Sequence, residues 1–567
     1  MRCRSTAEWT WSILVSSSGG PQYYSPSRFP DLGVHDVPAS RAERLAAALL
    51  ILGAFAVVLA VAPYRSFELD RFFLPKEVVL HATALLVALL VIPGRREWTW
   101  SRADLLLVAY LGVTVVSAAF ATNGWLAIRA LGITWSGLLL FWSARELGRA
   151  GLGTILTIGL SAGAVVGVLT ALGQAYGLLD SELFSLTRAP GGTFGNRNFV
   201  AHLAAIALPA LLAVSLAARS RFGYWLSVLA TLLTVGLLVL TRSRAAWLAT
   251  AVSGAVFLLL GFFPGGLWRD KVARRRLSGP LLAVAAGAVM ALALPNALDW
   301  RSDTPYVDTL KGLANFQEGS GRGRLLQWRN SLSLVSADPV LGVGPGNWAV
   351  RYPAVVTPED PSLDSEGMAA NPWPSSDWMA VLSERGLFAF LLLTGAGGML
   401  FLTGTRAWLT GPRGVPDLAP LVLASTIAAT AVVGAFDAVL LLPVPALYVW
   451  SLAGVLLPVE TFPRRRAAGW QSRVGLAALV LAVGAGLTWR SVQQVRAMEL
   501  IAPWGRLSTR AEAAAMDPGS YRIQVMVAQS YRRRGRCKDA LPFARQAAHL
   551  FPYAAEPKAI LRACGPR

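Results

Sequence analysis

GRGRLLQWRNSLSLVSADPVLGVGPGNW, Gly321 to Trp348, lies at the centre of a polar break that runs from Pro295 to about Ser375. On both sides of that break the chain reads as one apolar helical stretch after another. Lipid tolerates exposed backbone only as helix or closed barrel, so irregular sequence of this length must leave the bilayer. A chain interrupted once, at length, places its working surface in the interruption. The break combines Arg322, Arg324 and Arg329, an amphipathic run and a Gly/Pro turn. That set is suited to holding an anion at a membrane surface.

The flanking sequence sets the fold class. Of 567 residues, 54% are hydrophobic and 15% charged, against roughly 25% charged in soluble domains. About 20 apolar residues span a bilayer as helix. About thirteen stretches qualify, near 44–63, 76–93, 103–121, 125–143, 153–177, 198–218, 222–241, 245–264, 279–295, 376–404, 417–437, 439–457 and 473–489. The last pair but one is divided only around Asp437. The expected fold is an all-α polytopic membrane protein of about 12–13 transmembrane helices, with one long loop and a small α-helical C-terminal domain. Its expected divisions are a disordered leader (1–42), a first membrane block (43–295), the loop (296–375), a second block (376–490) and the tail (491–567).

The formal net charge is +20. The excess arginine sits in short loops between spans: GRREWTWSR (94–102), ARELGR (144–149), ARSRF (218–222), WRDKVARRR (268–276), TRAWLTGPR (405–413) and PRRRAAGWQSR (463–473). These fall on alternate sides as one face, the signal of a cytoplasmic surface rather than of a nucleic-acid partner. The N-terminus is then cytoplasmic, and the long loop and the tail lie opposite. Cys3, Cys537 and Cys564 make no metal pattern, and the four histidines fall in no HxxH or HExxH spacing, so no metal or other cofactor is expected.

After Trp489 the chain turns polar and Ala-rich. From Tyr521, residues Ala528, Tyr531, Gly535, Ala540, Ala547 and Pro552 fit a 34-residue tetratricopeptide pattern. One repeat cannot bury its own face, so it needs flanking helices, with 505–516 and 555–564 as candidates, or a protein partner. Cys537 and Cys564 are either bridged or two buried thiols.

Four clusters on the side of the loop carry candidate chemistry. In GGTFGNRNFVAH (191–202), Asn196, Arg197 and Asn198 stand at a helix start, where unpaired N–H groups favour anions, and Asn198 and His202 share a helix face. A capped helix start explains the same asparagines structurally. In LTRSRAAWL (240–248), Arg242 and Arg244 stand between two spans. Arginine at bilayer depth costs about 2.5–3.5 kcal/mol, which an anion offsets and which snorkelling to headgroups also relieves. In RLLQWRNSLSL, Leu325, Trp328 and Leu332 recur at helical spacing, as an interfacial helix that offers Arg324 and Arg329 to phosphate. In PWPSSDWMAVLSERG (372–386), Asp377 and Glu384 are seven apart on one helix; Glu384 and Arg385 also read as a plain charge cluster.

TFGNRNF, TRSRAAWL, Arg324 to Trp328 followed by DPVLGVGPGNW, and DWMAVLSERG, in this order, resemble the O-antigen ligase and polymerase family. FFLPKEVVL (72–80) resembles that family's second span, and the resemblance covers about residues 44–460. It implies an inverting, metal-independent glycan transferase of the GT-C type in the bacterial inner membrane. The implied donor is a glycan on undecaprenyl pyrophosphate, presented at the periplasmic face. The implied acceptor is lipid A–core or a second lipid-linked glycan. By motif, Arg244 and Arg324 match the arginines expected to hold the pyrophosphate, with Arg242 and Arg197 beside them. Asn196, Asn198, Trp328 and Ser375 are expected in support.

One position departs from the family. Where members carry a His-Asn-Asp-Tyr-like stretch, this chain has Ser375-Ser376-Asp377-Trp378. Serine is not a useful base at neutral pH. Asp377 is then the expected base and His202 the alternative. The missing histidine equally suits a non-catalytic scaffold or a glycan-handling member that lost its base. A transporter would show internal repeats and paired broken helices, which the sequence does not.

Overall fold

In the computed structural model of the protein, the residues described are 38–565 except 65–66, 68–69, 180–188, 263–266, 268–270, 301, 313–318, 358, 365–366, 412–416, 459–463 and 502–506. The expected leader falls almost wholly outside them. The described chain is all-α apart from two short strands. Its first nine helices are α1 (Arg41–Leu59), α2 (Asp70–Val91), α3 (Arg102–Ala119), α4 (Gly124–Leu147), α5 (Gly153–Ala175), α6 (Arg197–Ala217), α7 (Arg221–Thr241), α8 (Arg244–Phe262) and α9 (Lys271–Ala293). The long loop contains α10 (Pro305–Lys311) and α11 (Gly319–Ala337). Then come α12 (Asp377–Thr410), α13 (Ala419–Phe436), α14 (Pro443–Val455) and α15 (Trp470–Ile501). The tail holds α16 (Leu507–Met516), α17 (Tyr521–Arg532), α18 (Cys537–Leu550) and α19 (Ala555–Cys564).

Eleven helical stretches are long and apolar enough to cross a membrane; one, Gly124–Ala175, is the pair α4 and α5, broken where Gly151 takes a positive φ of 80°. The sequence expectation needs one correction. The span expected at 439–457 is a helix of only 13 residues, α14, and its side chains are buried. Enclosed by protein, it does not have to match the bilayer thickness. It packs close to α4 because glycines remove side chains at the contact. A Cβ on Gly454 would stand 2.2 Å from Phe141 O, and one on Gly137 would stand 2.4 Å from the Trp450 ring.

Helix starts in lipid leave N–H groups that only side chains can satisfy. Ser40 with Glu43, and Ser101 with Asp104, form reciprocal capping boxes. Asn123, Asn196, Ser220 and Ser376 cap α4, α6, α7 and α12.

The connections sort to two ends of the bundle. At one end, β1 (Glu97–Trp100) pairs antiparallel with β2 (Arg464–Ala467), and Arg473 donates to Pro93 O at 2.8 Å. These are the loops the sequence grouped as basic. At the other end meet the 60–64 segment, Asn123, the 189–196 segment, the long loop and the tail. Asn123 joins the loop to the tail: its N–H donates to Asn347 Oδ1 at 2.6 Å and its Nδ2 to Leu550 O at 3.3 Å. In the tail, α17 and α18 pack as a helical hairpin, Gly535 makes the turn at φ 71°, and a disulfide joins Cys537 to Cys564.

Within the loop, α11 forms where helical spacing places it, but with an unexpected face inward. Gln327, Asn330, Ser331 and Leu334 are buried, whereas Leu325 and Leu332 are 44% and 49% exposed. The polar face has partners: Asn330 Nδ2 donates to Asp360 Oδ2 at 2.8 Å, and Trp348 Nε1 donates to Ser331 Oγ at 2.9 Å. Tyr352 also donates to Asp360, and its hydroxyl is pushed above the usual tyrosine range by burial and by that bond.

Candidate active site

Two pairs of segments build the floor of the loop end. The 72–80 stretch packs on the 193–199 stretch: Lys76 Nζ donates to Thr193 O at 2.8 Å and also to Ala60 O. Gln174 Oε1 accepts Gly191 N and Gly192 N at 2.7 and 2.8 Å. This fixes the turn from which Arg197 and Asn198 emerge. The second pair is DPVLGVGPGNW and DWMAVLSERG. The helix α12 breaks at Gly386, φ 81°, where a Cβ would lie 2.1 Å from Val340 O. Into the break fit Val343 N, donating to Ser383 O at 3.0 Å, and Gly344 N, donating to Glu384 O at 2.8 Å. The Glu384 carboxylate accepts Gly346 N and Trp348 N. Glu384 therefore anchors the Gly/Pro turn, while Arg385 is held by the Tyr110 hydroxyl and ring.

Above this floor the arginines gather around one indole. Arg197 and Arg242 lie over the Trp300 ring at 5.1 and 4.7 Å. Arg242 Nε donates to Thr309 Oγ1 at 2.9 Å, and Arg244 donates to Gly312 O. Both acceptors belong to α10 or its end, so the α7–α8 turn holds the loop. Among the described residues Arg242 is the one non-glycine with positive φ, 53°. That conformation costs about 1–2 kcal/mol and persists only where the surroundings impose it. The two-residue turn, Arg242 and Ser243, thereby brings Arg242 and Arg244 to the same stretch of the loop, at Thr309 and Gly312.

A second group adjoins through Asn198. Its Nδ2 donates to Asp437 Oδ2 at 3.3 Å, and His202 Nε2 stands 3.9 Å from the same oxygen. His202 is 0% exposed, and neither ring nitrogen has a hydrogen-bond partner among the described residues. Buried polar atoms are nearly always paired, so an unpaired imidazole marks a place for a proton or a ligand. Arg324, from α11, lies in electrostatic range of His202. Trp328, one turn on, packs its ring on Phe436 at 6.4 Å, next to Asp437. Arg322 and Arg329 are exposed on the outer face of α11.

The expected base sits differently. Asp377 is 0% exposed, with Oδ1 accepting Val439 N and Oδ2 accepting Leu440 N, both at 2.9 Å. The carboxylate thus ties the start of α12 to the α13–α14 turn. Ser375 N donates to Gln327 Oε1 at 2.7 Å, which fastens α11 over the same corner. The structure therefore brings Arg197, Arg242 and Arg244 together, and Asn198, His202 and Arg324 beside them. Asn196 caps the helix that carries Arg197, Asn198 and His202.

Two residues were passed over in the sequence. Asp437 was read only as a divider between spans, although an acid in a long apolar run is costly unless paired or used. Trp300 lay in polar loop sequence and carried no spacing signal.

Residues 229–394 match the family model for O-Antigen ligase, and the match supports the O-antigen ligase/polymerase family. The matched part contains Arg242, Arg244, Trp300, Arg324, Trp328 and Asp377; Arg197, His202 and Asp437 lie outside it. No curated protein matches the chain.

Proposed function

We propose, from the family match and the arginine-lined end of the bundle, that this multi-pass membrane protein transfers a glycan from a lipid diphosphate to an acceptor hydroxyl. The donor is a glycan on undecaprenyl pyrophosphate, and the acceptor is lipid A–core or a second lipid-linked glycan. The protein sits in the bacterial inner membrane with its basic end in the cytoplasm, and its loop and tail in the periplasm, a reading that the arginine asymmetry supports.

Arg197, Arg242, Arg244 and Arg324 hold the pyrophosphate. Guanidinium forks match phosphate oxygens and stabilise the charge that grows on them as the sugar–phosphate bond breaks. The acceptor oxygen forms the new bond to the anomeric carbon. Its proton passes to a ring nitrogen of His202, which Asp437 orients and stabilises as imidazolium. Asp377 positions the corner, because both its oxygens are engaged by backbone N–H groups. The observation that carries this reading is the buried imidazole 3.9 Å from Asp437, neither of whose ring nitrogens has a hydrogen-bond partner among the described residues.

The test is transfer by the reconstituted full chain carrying His202→Gln or Asp377→Asn, both near-isosteric and both without basicity. Loss of transfer in His202→Gln, with the melting temperature kept, supports the assignment. In Asp377→Asn a fall in stability is expected, with transfer per folded molecule retained. The reverse pattern returns the base role to Asp377. Orientation is tested with Pro361→Cys in a Cys3→Ser background: labelling by impermeant maleimide is expected before the inner membrane is lysed, and labelling only afterwards rejects it.

A further inference from the structure

The basic end carries a feature that glycan transfer leaves unused. Between α7 and α9 runs a groove of about 630 Å³, within the range of about 300–1,000 Å³ usual for ligand sites. Its mouth consists of Arg219 and Arg221 before and at the start of α7, and Arg275 and Arg276 on α9. Among the described residues no acid lines it. Arg219, Arg221 and Arg275 are exposed, whereas Arg276 Nη1 donates to Leu216 O at 2.9 Å and forms the inner wall.

Below the arginines the lining becomes apolar, with Trp225 63% and Leu282 69% exposed. Both residues belong to helices that qualify as membrane spans, so this surface faces lipid. The shape follows from the two helices. Towards the loop end they meet at backbone distance: a Cβ on Gly287 would lie 2.4 Å from Leu232 O. Towards the basic end the Tyr224 ring stands between them, its hydroxyl donating to Arg276 O at 3.0 Å. The helices splay over that ring and leave the groove.

We infer that this groove binds an anionic phospholipid of the leaflet at the basic end. The phosphate sits among the guanidinium groups, which match its oxygens in pairs. The acyl chains lie along Trp225, Leu232 and Leu282. Single arginines snorkel to headgroups without a site; four that converge from two helices on one apolar groove are complementary to an anionic head with tails attached. The bound lipid clasps α7, whose far end is the Arg242 turn, to α9.

The experiment is native mass spectrometry of the purified full chain after incubation with equal amounts of phosphatidylglycerol and phosphatidylethanolamine of matched chains. One basic residue at an anionic surface is worth about a fivefold preference, so the wild type is expected to retain phosphatidylglycerol at least about fivefold over its zwitterionic counterpart. R219Q/R221Q/R275Q is expected to lose the preference. A286W, which fills the groove floor and keeps every charge, is expected to lose it too, and serves alone if the triple variant does not fold. R96Q/R102Q/R406Q, which removes exposed arginines elsewhere at the same end, is expected to keep it. No preference in the wild type, a preference that survives A286W, or equal loss in the control triple overturns the site.

Discussion

Arg145 and Arg242 are the same side chain put to opposite uses at the two ends of the bundle. At the basic end Arg145 is buried against an equally buried carboxylate, with Nη1 2.7 Å from Asp104 Oδ1. Arg95 likewise lies 3.3 Å from Glu146. In these two pairs the anion is built in: Arg145 ties α4 to α3, and Arg95 ties the connection before β1 to α4. Around Trp300 the pattern changes. Arg242 and Arg197 rest on an indole face, Arg242 donates to a hydroxyl and Arg244 donates to a carbonyl. Contacts of this kind orient a guanidinium without themselves cancelling its charge. On the proposed function, the paired arginines at α3 and α4 are structural and the aimed ones serve the donor's anion.

This contrast predicts separable phenotypes. The largest effect belongs to the aimed arginines. Arg244→Ala and Arg324→Ala should each lower transfer by about 100-fold or more, the scale of losing one leaving-group or oxyanion donor, with little change in thermal stability. Lys at either position should restore only part, since a point charge does not reproduce the fork. Full activity in the Lys variants would show that bidentate geometry is unimportant. Next comes Arg145→Ala, which leaves the buried Asp104 without its cation. It should cost about 3–5 kcal/mol, visible as lower yield and melting temperature, while transfer per folded molecule stays near wild type. A folded Arg145→Ala protein with no transfer would break the division between the two ends.

The smallest effect concerns tail docking. Asp517 is buried where the tail meets the bundle, and burial pushes its carboxyl up to about 6 from 3.8. The docked tail therefore holds this proton more tightly than the free tail does. Docking is strongest below the free value, weakens as pH rises through about 6, and is weakest above it. Release of the tail by limited proteolysis should be faster at pH 7.5 than at pH 5. Asp517→Asn should flatten the difference.

The bundle was legible because lipid enforces it: apolar length gives spans, and arginine asymmetry gives two faces. The one misjudged span, 439–457, shows the limit of that rule. A helix surrounded by protein is as apolar as a lipid-facing one but need not be as long. The loop helix α11 shows a second limit. Spacing located it, yet its buried face is the polar one, because Asp360, Trp348 and Ser375 supply partners that lie 17 to 48 positions away in sequence. Arg242 and Arg244 were visible as costly residues between spans, Arg197 at a helix start and Arg324 on the loop helix. The meeting of Arg197 and Arg242 on Trp300, and the approach of His202 to Asp437, depend on tertiary contacts between α6, the loop and the α13–α14 turn. No local pattern encodes those. Asp377 stood out by its place in a motif, and only its two backbone partners reveal a holding role.

The central claim is that the arginines at the loop end bind diphosphate and those at the basic end do not. It is tested most directly by titrating undecaprenyl pyrophosphate into the full chain in nanodiscs and measuring the dissociation constant by calorimetry. Arg244→Ala and Arg324→Ala should each weaken binding about tenfold or more, the scale of one lost charge-assisted pair, and R219Q/R221Q/R275Q should bind as the wild type does. Equal affinity in all of these proteins, or weakening only in the basic-end variant, would contradict the account.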